Sequence, residues 1–182
     1  TGSLALFNIN KENVLIRQNS DAIRNYEWRT AGAARSRGLE LDLAGELNPQ
    51  WSLIGSLAWL DAKVTKDPKF TGNRLANVAR VTASVGGVFN AGDVGVGQLR
   101  LGARARYTGK RAGDSANAFW LPAYTVADVF ATYDLPVAGR KMRLQFNIKN
   151  LTNKVYYPSA NNQYGLAVGD ARQFMLSAGF DF

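Results

Sequence analysis

The stretch LELDLAGELNPQWSLIGSLAW, residues 39–59, contains two segments in which apolar residues alternate with polar or small ones. Successive side chains of a β-strand point to opposite faces, so this period of two predicts two strands. The intervening NPQ at 48–50 predicts a tight turn. One face of the predicted hairpin is wholly apolar: Leu39, Leu41, Leu43, Gly45, Leu47, Trp51, Leu53, Gly55, Leu57 and Trp59.

The same alternation recurs along the chain, and no segment has helical periodicity. The six further segments are an N-terminal one around Ala5, Phe7 and Ile9, and those at 81–89, 99–107, 127–135, 144–148 and 174–182. In the N-terminal segment, Ala5, Phe7 and Ile9 are predicted to form the apolar face. None of the eight apolar faces carries Asp, Glu, Lys or Arg, although 20% of the residues are charged. Such faces meet either a protein core or lipid.

Aromatic residues at the strand ends favour lipid. Trp51 and Trp59 end the same apolar face, about 26 Å apart at ~3.3 Å per residue. With the tilt of a barrel strand this becomes roughly 20 Å of height, close to the apolar band of an outer-membrane barrel. Further aromatic residues fall at predicted strand ends, as interfacial girdles require: Phe89, Tyr107, Tyr133 and Phe182.

The connections between the predicted strands alternate in length. Short, Pro- and Gly-rich turns are predicted at 48–50, 90–95 and 136–141, and long polar loops at 17–35, 61–79, 108–121 and 156–171. Short turns on one side and long loops on the other are typical of a transmembrane β-barrel. The predicted fold class is therefore all-β, an antiparallel transmembrane β-barrel segment.

Composition excludes several kinds of chemistry. The 182 residues include no Cys and no His, which excludes disulfides and Ser–His or Cys–His catalysis and disfavours a protein-ligated metal. An enzyme is not expected. The formal charge of +8 suits an anionic ligand, anionic lipid or nucleic acid. Because Thr1 is not preceded by an initiator Met or a leader, the chain is expected to be part of a longer protein.

Several segments resemble, in the same order, the late barrel of TonB-dependent ferric-siderophore receptors. The first is RSRGLELDLAGELNPQWSLIGSLAWLDAKVTKD at 35–67, with the R-x-R-G-x-E-L strand of that family. The others are GNRLANVARVTAS (72–84), LPAYTVADVFATYDL (121–135), FNIKNLTNKVYY (146–157) and GDARQFMLSAGFDF (169–182). Together they cover nearly the whole chain.

The resemblance implies a bacterial outer-membrane protein with a barrel of 22 strands. Residues 1–182 would be the C-terminal part of that barrel, strands 15–22, with the plug domain and the TonB-contacting segment outside this chain. The implied function is uptake of a ferric siderophore, energised through the TonB complex. Iron would be held by the siderophore, so no protein cofactor or metal site is expected.

The resemblance also implies a ligand site at the outer vestibule, where aromatic rings cover the chelate and guanidinium groups neutralise it. The candidates are Tyr26, Trp28, Arg104, Arg106, Phe119, Trp120, Tyr156, Tyr157 and Tyr164. Alternatively, Arg104 and Arg106 pair with carboxylates of the barrel lumen such as Glu40, Asp42 or Asp128, and the aromatics pack within loops. The loop cations Arg17, Lys66, Lys69, Lys110 and Arg111 could contact lipopolysaccharide phosphates.

Two other readings remain open. Eight is an allowed strand number, so the chain could be a self-standing eight-stranded outer-membrane barrel with a structural or adhesion role. The size of the native polypeptide distinguishes this from a receptor. A soluble β-sandwich that binds nucleic acid would need a basic stripe interleaved with exposed aromatics. The charge here is spread over loops and lumen instead, so no nucleic-acid partner is expected.

Overall fold

A computed structural model describes the backbone of residues 1–19 and 26–180, and the side chains of these residues apart from positions 16–31. The strands are β1 (Gly2–Asn19), β2 (Tyr26–Asn48), β3 (Trp51–Lys66), β4 (Val81–Val94), β5 (Gly97–Thr108), β6 (Arg111–Ala112), β7 (Trp120–Leu121), β8 (Tyr124–Val137), β9 (Arg140–Lys149), β10 (Ser159–Asn162), β11 (Gly165–Ala167) and β12 (Gln173–Phe180). Over these ranges no helix is long and apolar enough to cross a membrane.

Eight of the strands form one antiparallel sheet in the order β1-β2-β3-β4-β5-β8-β9-β12. Over the described residues, each of the eight alternating segments lies in one of these strands, and the all-β antiparallel prediction is confirmed. The short strands form two separate hairpins, β6 with β7 and β10 with β11. Within the described ranges β1 pairs only with β2, and β12 only with β9. The eight strands therefore form an open sheet.

The strand register brings the apolar faces together into one surface. Leu57 of β3 lies opposite Leu41 of β2 and Ala83 of β4. At one end of this surface, the rings of Trp51 and Phe89 lie 4.9 Å apart between centroids. Large apolar side chains of the surface are exposed, as expected of a face that meets lipid.

The prediction for the apolar face of the N-terminal strand is wrong. Leu4 and Leu6 of β1 lie opposite Leu41 and Leu39, on the apolar face. Ala5, Phe7 and Ile9 lie opposite Glu40, Gly38 and Ser36, on the polar face. Apolar residues occupy both parities of this segment, so its local pattern does not define a face, and the register with β2 decides it.

The connections differ from the prediction in two places. The predicted loop 17–35 is largely strand, because β1 continues to Asn19 and β2 begins at Tyr26. The predicted turn 90–95 is also mostly strand: β4 continues to Val94 across a register shift between Asn90 and Gly92, and the turn is at 95–96. The other short turns are confirmed, at 49–50 and 138–139. Phe182 lies outside the described residues.

These three short turns lie at one end of the sheet, which we call the short-turn end. The opposite, long-loop end carries the connections 67–80, 109–123 and 150–172, which we call the three long loops. The predicted long loops 61–79, 108–121 and 156–171 fall largely within them, although β3 continues to Lys66.

Gly38 allows a close approach between β2 and its neighbours. A Cβ built on Gly38 would overlap the carbonyl oxygen of Trp59 and lie 3.0 Å from the Phe7 ring. The glycine of the R-x-R-G pattern is therefore a position where the polar face has no room for a side chain, because the Trp59 carbonyl occupies the space and the Phe7 ring lies close by.

The polar face at the short-turn end carries a compact charge cluster. Asp134 is 6% exposed and forms ion pairs with Arg143 at 2.6 Å, Arg100 at 3.0 Å and Lys141 at 3.3 Å. The carboxylate thereby bridges β5, β8 and β9 across the polar face.

Candidate ligand-binding surface

Asn77 joins the three long loops. Its side-chain Nδ2 donates to the carbonyl of Ala160 at 2.8 Å, and the Ala160 N–H donates to Asn77 Oδ1 at 2.9 Å. The Asn77 N–H donates to the carbonyl of Ala112, also at 2.8 Å. Asn77 has φ of 63°, a left-handed conformation that asparagine tolerates better than most residues. One residue therefore holds loop 67–80 against both other loops, with its side chain on loop 150–172 and its backbone N–H on loop 109–123.

Asn117 makes a second link between loops 67–80 and 109–123. Its Oδ1 accepts from the N–H of Arg74 at 2.9 Å, and its Nδ2 donates to the Arg74 carbonyl at 3.0 Å. Asn117 also has positive φ, 56°. Nearby, Asn73 Nδ2 donates to the Ser115 carbonyl at 2.9 Å. These bonds replace the strand pairing that the loops lack, and they satisfy backbone groups that would otherwise need water.

Arg111 links loop 109–123 to loop 150–172 from a buried position, with 1% of its surface exposed. Its Nε donates to the Pro158 carbonyl at 3.2 Å, and its Nη2 donates to the Tyr157 carbonyl. The guanidinium lies over the Tyr124 ring, 5.3 Å from the centroid. Burial lowers the pKa of Arg111 from its ordinary value, and Tyr124 partly opposes this. The idea that Arg111 contacts lipopolysaccharide phosphates is wrong, because this side chain is enclosed by the loops.

Asn150 closes the base of loop 150–172 and is 2% exposed. Its Nδ2 donates to the carbonyls of Lys154 and Asp170, both at 2.9 Å, and its Oδ1 accepts from the Lys154 N–H at 2.9 Å. The Asn150 N–H in turn donates to Asp128 Oδ1 at 2.9 Å. The loop is thereby anchored to the polar face of β8.

Arg106 pairs with Asp128, at 2.9 Å between Nη2 and Oδ2. The alternative in which this arginine pairs with a carboxylate of the polar face is therefore confirmed. Arg104 lies opposite Asp128 in the register and is exposed. Its side chain has no hydrogen bond or ion pair within residues 1–19 and 26–180. Of the two arginines, Arg104 is the one with unused hydrogen-bonding capacity.

The predicted aromatic residues fall into different settings. Tyr156 covers Gly169 and packs on Tyr124, with ring centroids 4.6 Å apart. Phe119 covers Gly113, whose built Cβ would overlap the ring. Both rings therefore pack largely against other parts of the protein. This agrees with the alternative in which the aromatic residues pack within loops.

Trp120 and Tyr164 are more available. Trp120 is 39% exposed, and Lys110 Nζ lies 5.1 Å from its ring centroid. Tyr164 lies in the β10–β11 turn and is 89% exposed. Tyr157 contributes its carbonyl to the Arg111 bond described above. The side chains of Tyr26 and Trp28 lie outside the described set, although their backbones pair with Asn19 and Arg17.

Sequence reasoning missed the residues that build this surface, namely Asn77, Asn117, Asn150, Tyr124 and the positioning role of Arg111. Asparagines in predicted loops were an available signal, since Asn favours turns and left-handed conformations. Their partners lie up to 83 positions away and could not be read from the local pattern.

Known proteins with similar sequences and structures identify the family of this chain. The family model described as "TonB dependent receptor-like, beta-barrel" matches residues 1–151. The chain belongs to the TonB-dependent receptor family. Members of this family are receptors of the outer membrane of Gram-negative bacteria, which confirms the predicted location.

Two curated relatives illustrate how much of a TonB-dependent receptor this chain represents. It is 38% identical to the metal-pseudopaline receptor CntO of Pseudomonas aeruginosa PAO1, over 96% of this chain and 24% of the relative. It is 34% identical to the ferrichrome outer membrane transporter/phage receptor of Escherichia coli K12, over 98% of this chain and 24% of the relative. The chain thus spans about a quarter of the length of these relatives.

Solved TonB-dependent receptors share the fold. BauA, the ferric preacinetobactin receptor of Acinetobacter baumannii, superposes with a TM-score of 0.84 at 29% identity, covering 100% of this chain and 27% of that one. The siderophore receptor PiuA from the same species superposes with a TM-score of 0.79 at 28% identity, covering 97% of this chain and 25% of that one. The open sheet described above therefore has the arrangement of part of a larger barrel.

Proposed function

We propose that residues 1–182 form the C-terminal barrel part of an outer-membrane receptor that imports a ferric siderophore. In this proposal the eight strands of the sheet are strands 15–22 of a 22-stranded barrel. The observation that carries the proposal is the set of three long loops, tied into one surface by Asn77, Asn117 and Arg111. A tied loop surface at one end of a barrel can present groups to a ligand in a fixed arrangement.

The chelate, and not the protein, holds the iron in this proposal. The sequence has no His or Cys, and the described residues contain no cluster of three or more Asp or Glu side chains suited to a metal ion. In this proposal the protein contributes binding and no covalent chemistry.

Recognition is assigned to exposed aromatic rings of the long-loop end and to a cationic group of the polar face within the strands. Trp120 and Tyr164 offer exposed rings, and Arg104 offers a guanidinium without a protein partner in the described ranges. Rings can cover the organic shell of a chelate, and a guanidinium can pair with its carboxylate or catecholate oxygens. Phe119, Tyr156 and Tyr157 then act mainly by shaping the loops.

Energy for import is assigned to the TonB complex, which would act through a part of the protein outside this chain. The family name and the relatives' roles support this step. The plug domain is likewise expected outside residues 1–182.

The test uses the full-length receptor in iron-starved cells. Uptake of radiolabelled iron is measured with ferrichrome, ferrioxamine B, ferric preacinetobactin and a metal–pseudopaline complex, in cells with and without the receptor gene and with and without TonB. We expect at least one of these four chelates to be taken up only when the receptor gene and TonB are both present. Equal uptake of all four with and without the receptor gene would contradict the proposal.

The binding surface is tested separately with two matched tryptophan variants. Trp120→Ala removes a ring that is 39% exposed at the long-loop end, and Trp51→Ala removes one that is 42% exposed at the short-turn end. We expect Trp120→Ala to weaken binding of the transported chelate by roughly tenfold, as loss of an aromatic contact does. Trp51→Ala should leave binding unchanged. Equal effects of the two substitutions on chelate binding would show that Trp120 is not part of the binding surface.

The open sheet does not favour the alternative of a self-standing eight-stranded barrel. In such a barrel β1 would pair with β12, whereas within the described ranges each of these strands pairs with one neighbour.

A further inference from the structure

Exposed apolar side chains are unevenly distributed among the three long loops. Of the residues that the structure describes, loop 67–80 has no exposed large apolar one, and loop 109–123 has only Trp120. Loop 150–172 has five, namely Leu151, Val155, Tyr164, Leu166 and Val168. This loop therefore contains most of the exposed large apolar residues at the long-loop end.

Two of these five residues have other settings. Leu151 lines the same hollow of the apolar surface as Phe146 and Ile148, so it continues the face that meets lipid. Tyr164 lies in the β10–β11 turn and is assigned above to the ligand-binding surface. The other three are aliphatic, and we call Val155, Leu166 and Val168 the aliphatic patch.

The backbone of loop 150–172 brings the aliphatic patch together. The Gly169 N–H donates to the carbonyl of Tyr156 at 2.8 Å, so the adjoining residues Val155 and Val168 lie at the same level of the loop. They are 68% and 66% exposed. Apolar residues scattered singly are normal on a protein surface, whereas larger exposed apolar patches mark interaction sites. The aliphatic patch is therefore a candidate contact surface.

Other residues of the same loop bind the neighbouring loops and strands. The backbone of Ala160 exchanges two hydrogen bonds with Asn77 of loop 67–80. Arg111 of loop 109–123 donates to the two carbonyls at 157–158. Tyr156 packs on Tyr124 of β8. Because the aliphatic patch stays exposed beside all these contacts, it does not face either of the other long loops.

Loop 150–172 lies at one edge of the sheet. It joins β9 to β12, and β12 is the last strand in the sheet order. Within the described ranges β12 pairs only with β9, and all of its residues are exposed. The sheet has the arrangement of part of a larger barrel, as the superposition on 27% of BauA indicates. A closed barrel leaves no strand edge, so a strand outside this chain pairs with β12.

Topology identifies that strand and the loop that follows it. With the chain at the C-terminal end of its barrel, closure pairs β12 with the first strand of the barrel. Neighbouring strands are antiparallel, and β12 begins at the long-loop end, so the first strand ends there. We call the connection between the first and second strands the first outer loop. It emerges beside loop 150–172, across β12.

We propose that the aliphatic patch packs against an apolar segment of the first outer loop and so continues the tied loop surface across the place where the barrel closes. The patch lies in the long loop that borders this edge, on a side that the other long loops leave free. A second copy of the protein would have to approach an edge that the barrel's own strands occupy. A chelate would find no charged or aromatic group in the patch.

The inference rests on the proposed function in one respect, the placement of residues 1–182 at the C-terminal end of the barrel. It does not depend on which chelate the receptor carries. Loop 150–172 then joins two parts of the outer surface, because one side binds loops 67–80 and 109–123 and the other side binds the first outer loop.

The test uses the full-length receptor in outer membranes. The photoreactive amino acid p-benzoylphenylalanine replaces Val168, and in the control it replaces Lys69, an exposed residue of loop 67–80. After irradiation, the cross-linked peptides are identified by mass spectrometry. Heat-dependent mobility in gel electrophoresis verifies that each barrel is folded.

We expect the probe at Val168 to cross-link within the same chain to the first outer loop, and the probe at Lys69 not to reach that loop. A cross-link from position 168 to a second copy, to added chelate or to any other loop would overturn the proposal, as would the absence of a cross-link in the folded receptor. Chelate uptake without the expected cross-link contradicts the packing alone. The cross-link without uptake contradicts the proposed function alone.

Polar substitutions in the aliphatic patch provide a second readout. One variant combines Val155→Ser and Val168→Ser, and the matched control is Asn161→Ser, at an exposed polar residue of the same loop. The double variant removes apolar area that the proposal places in contact, so amide hydrogen exchange of the first outer loop should be at least about tenfold faster. The control should exchange at the wild-type rate. Wild-type exchange in the double variant would show that the patch faces water.

Discussion

The side chain of Asn77 and the backbone of Ala160 exchange two hydrogen bonds, at 2.8 and 2.9 Å, across 83 positions of sequence. Their loops follow different strands and have no strand pairing with each other. This link therefore depends on one side chain, and it acts beside the links that Asn117 and Arg111 make between the long loops.

The first prediction concerns this link. Asn77→Ala removes both side-chain bonds and places an alanine at φ of 63°, so we expect a local loss of about 1–3 kcal/mol. Amide hydrogen exchange of loop 150–172 in the full-length receptor, followed by mass spectrometry, should be faster around Ala160. Asn161→Ala, at an exposed neighbouring asparagine, is the matched control. Unchanged protection at Ala160 in Asn77→Ala would show that other contacts hold the loop.

The second prediction concerns Arg111 as a positioning residue. Arg111→Lys keeps the charge but cannot reach the carbonyls of Gly109, Tyr157 and Pro158 together, because the planar fork of donors is lost. We expect local loop stability to fall by about 2–4 kcal/mol, with faster chymotrypsin cleavage after Tyr156. Lys110→Gln, which changes an exposed neighbour, should cleave at the wild-type rate. Wild-type cleavage of Arg111→Lys would indicate that the cation–π contact with Tyr124 alone is sufficient.

The third prediction concerns Asp134. Asp134→Asn leaves Arg100, Lys141 and Arg143 without their shared anion. Because these cations are half exposed, we expect a loss of about 2 kcal/mol, less than for a fully buried ion pair. The urea midpoint of the folded receptor in vesicles should fall, and added salt should reduce the difference by screening the remaining like charges. Asp93→Asn changes an exposed carboxylate near the same end and should have little effect on the urea midpoint. A similar fall of the midpoint in both variants would mean that the charge cluster contributes no more stability than an exposed carboxylate.

The fourth prediction compares two glycines of β2. A Cβ at Gly38 would overlap the Trp59 carbonyl and crowd Phe7, whereas a Cβ at Gly45 meets nothing within 4 Å. Gly38→Ala should destabilise the barrel by about 1–3 kcal/mol through overpacking. Gly45→Ala should be neutral or slightly stabilising, because it restricts the unfolded chain. Both are measured as urea midpoints in vesicles, and the opposite order would show that β2 adjusts at Gly38.

Period-two alternation predicted much of the fold because the side-chain period of a strand is fixed by backbone geometry. In β2 and β3 only one parity is apolar, and the observed register pairs those residues face to face, as with Leu41 and Leu57. In β1 both parities carry apolar residues, so alternation gave the wrong face. The pairing of β1 with β2 decides which face is apolar, because it places Leu4 opposite Leu41.

The sequence by itself therefore determined most of the strands, the apolar surface outside β1 and the all-β antiparallel class, since these follow from patterns within about ten residues. Tertiary structure alone decided which groups meet at the proposed ligand-binding surface. The bonds of Asn77 and Arg111 join separate loops. Such contacts join residues far apart in sequence, and no local period encodes them.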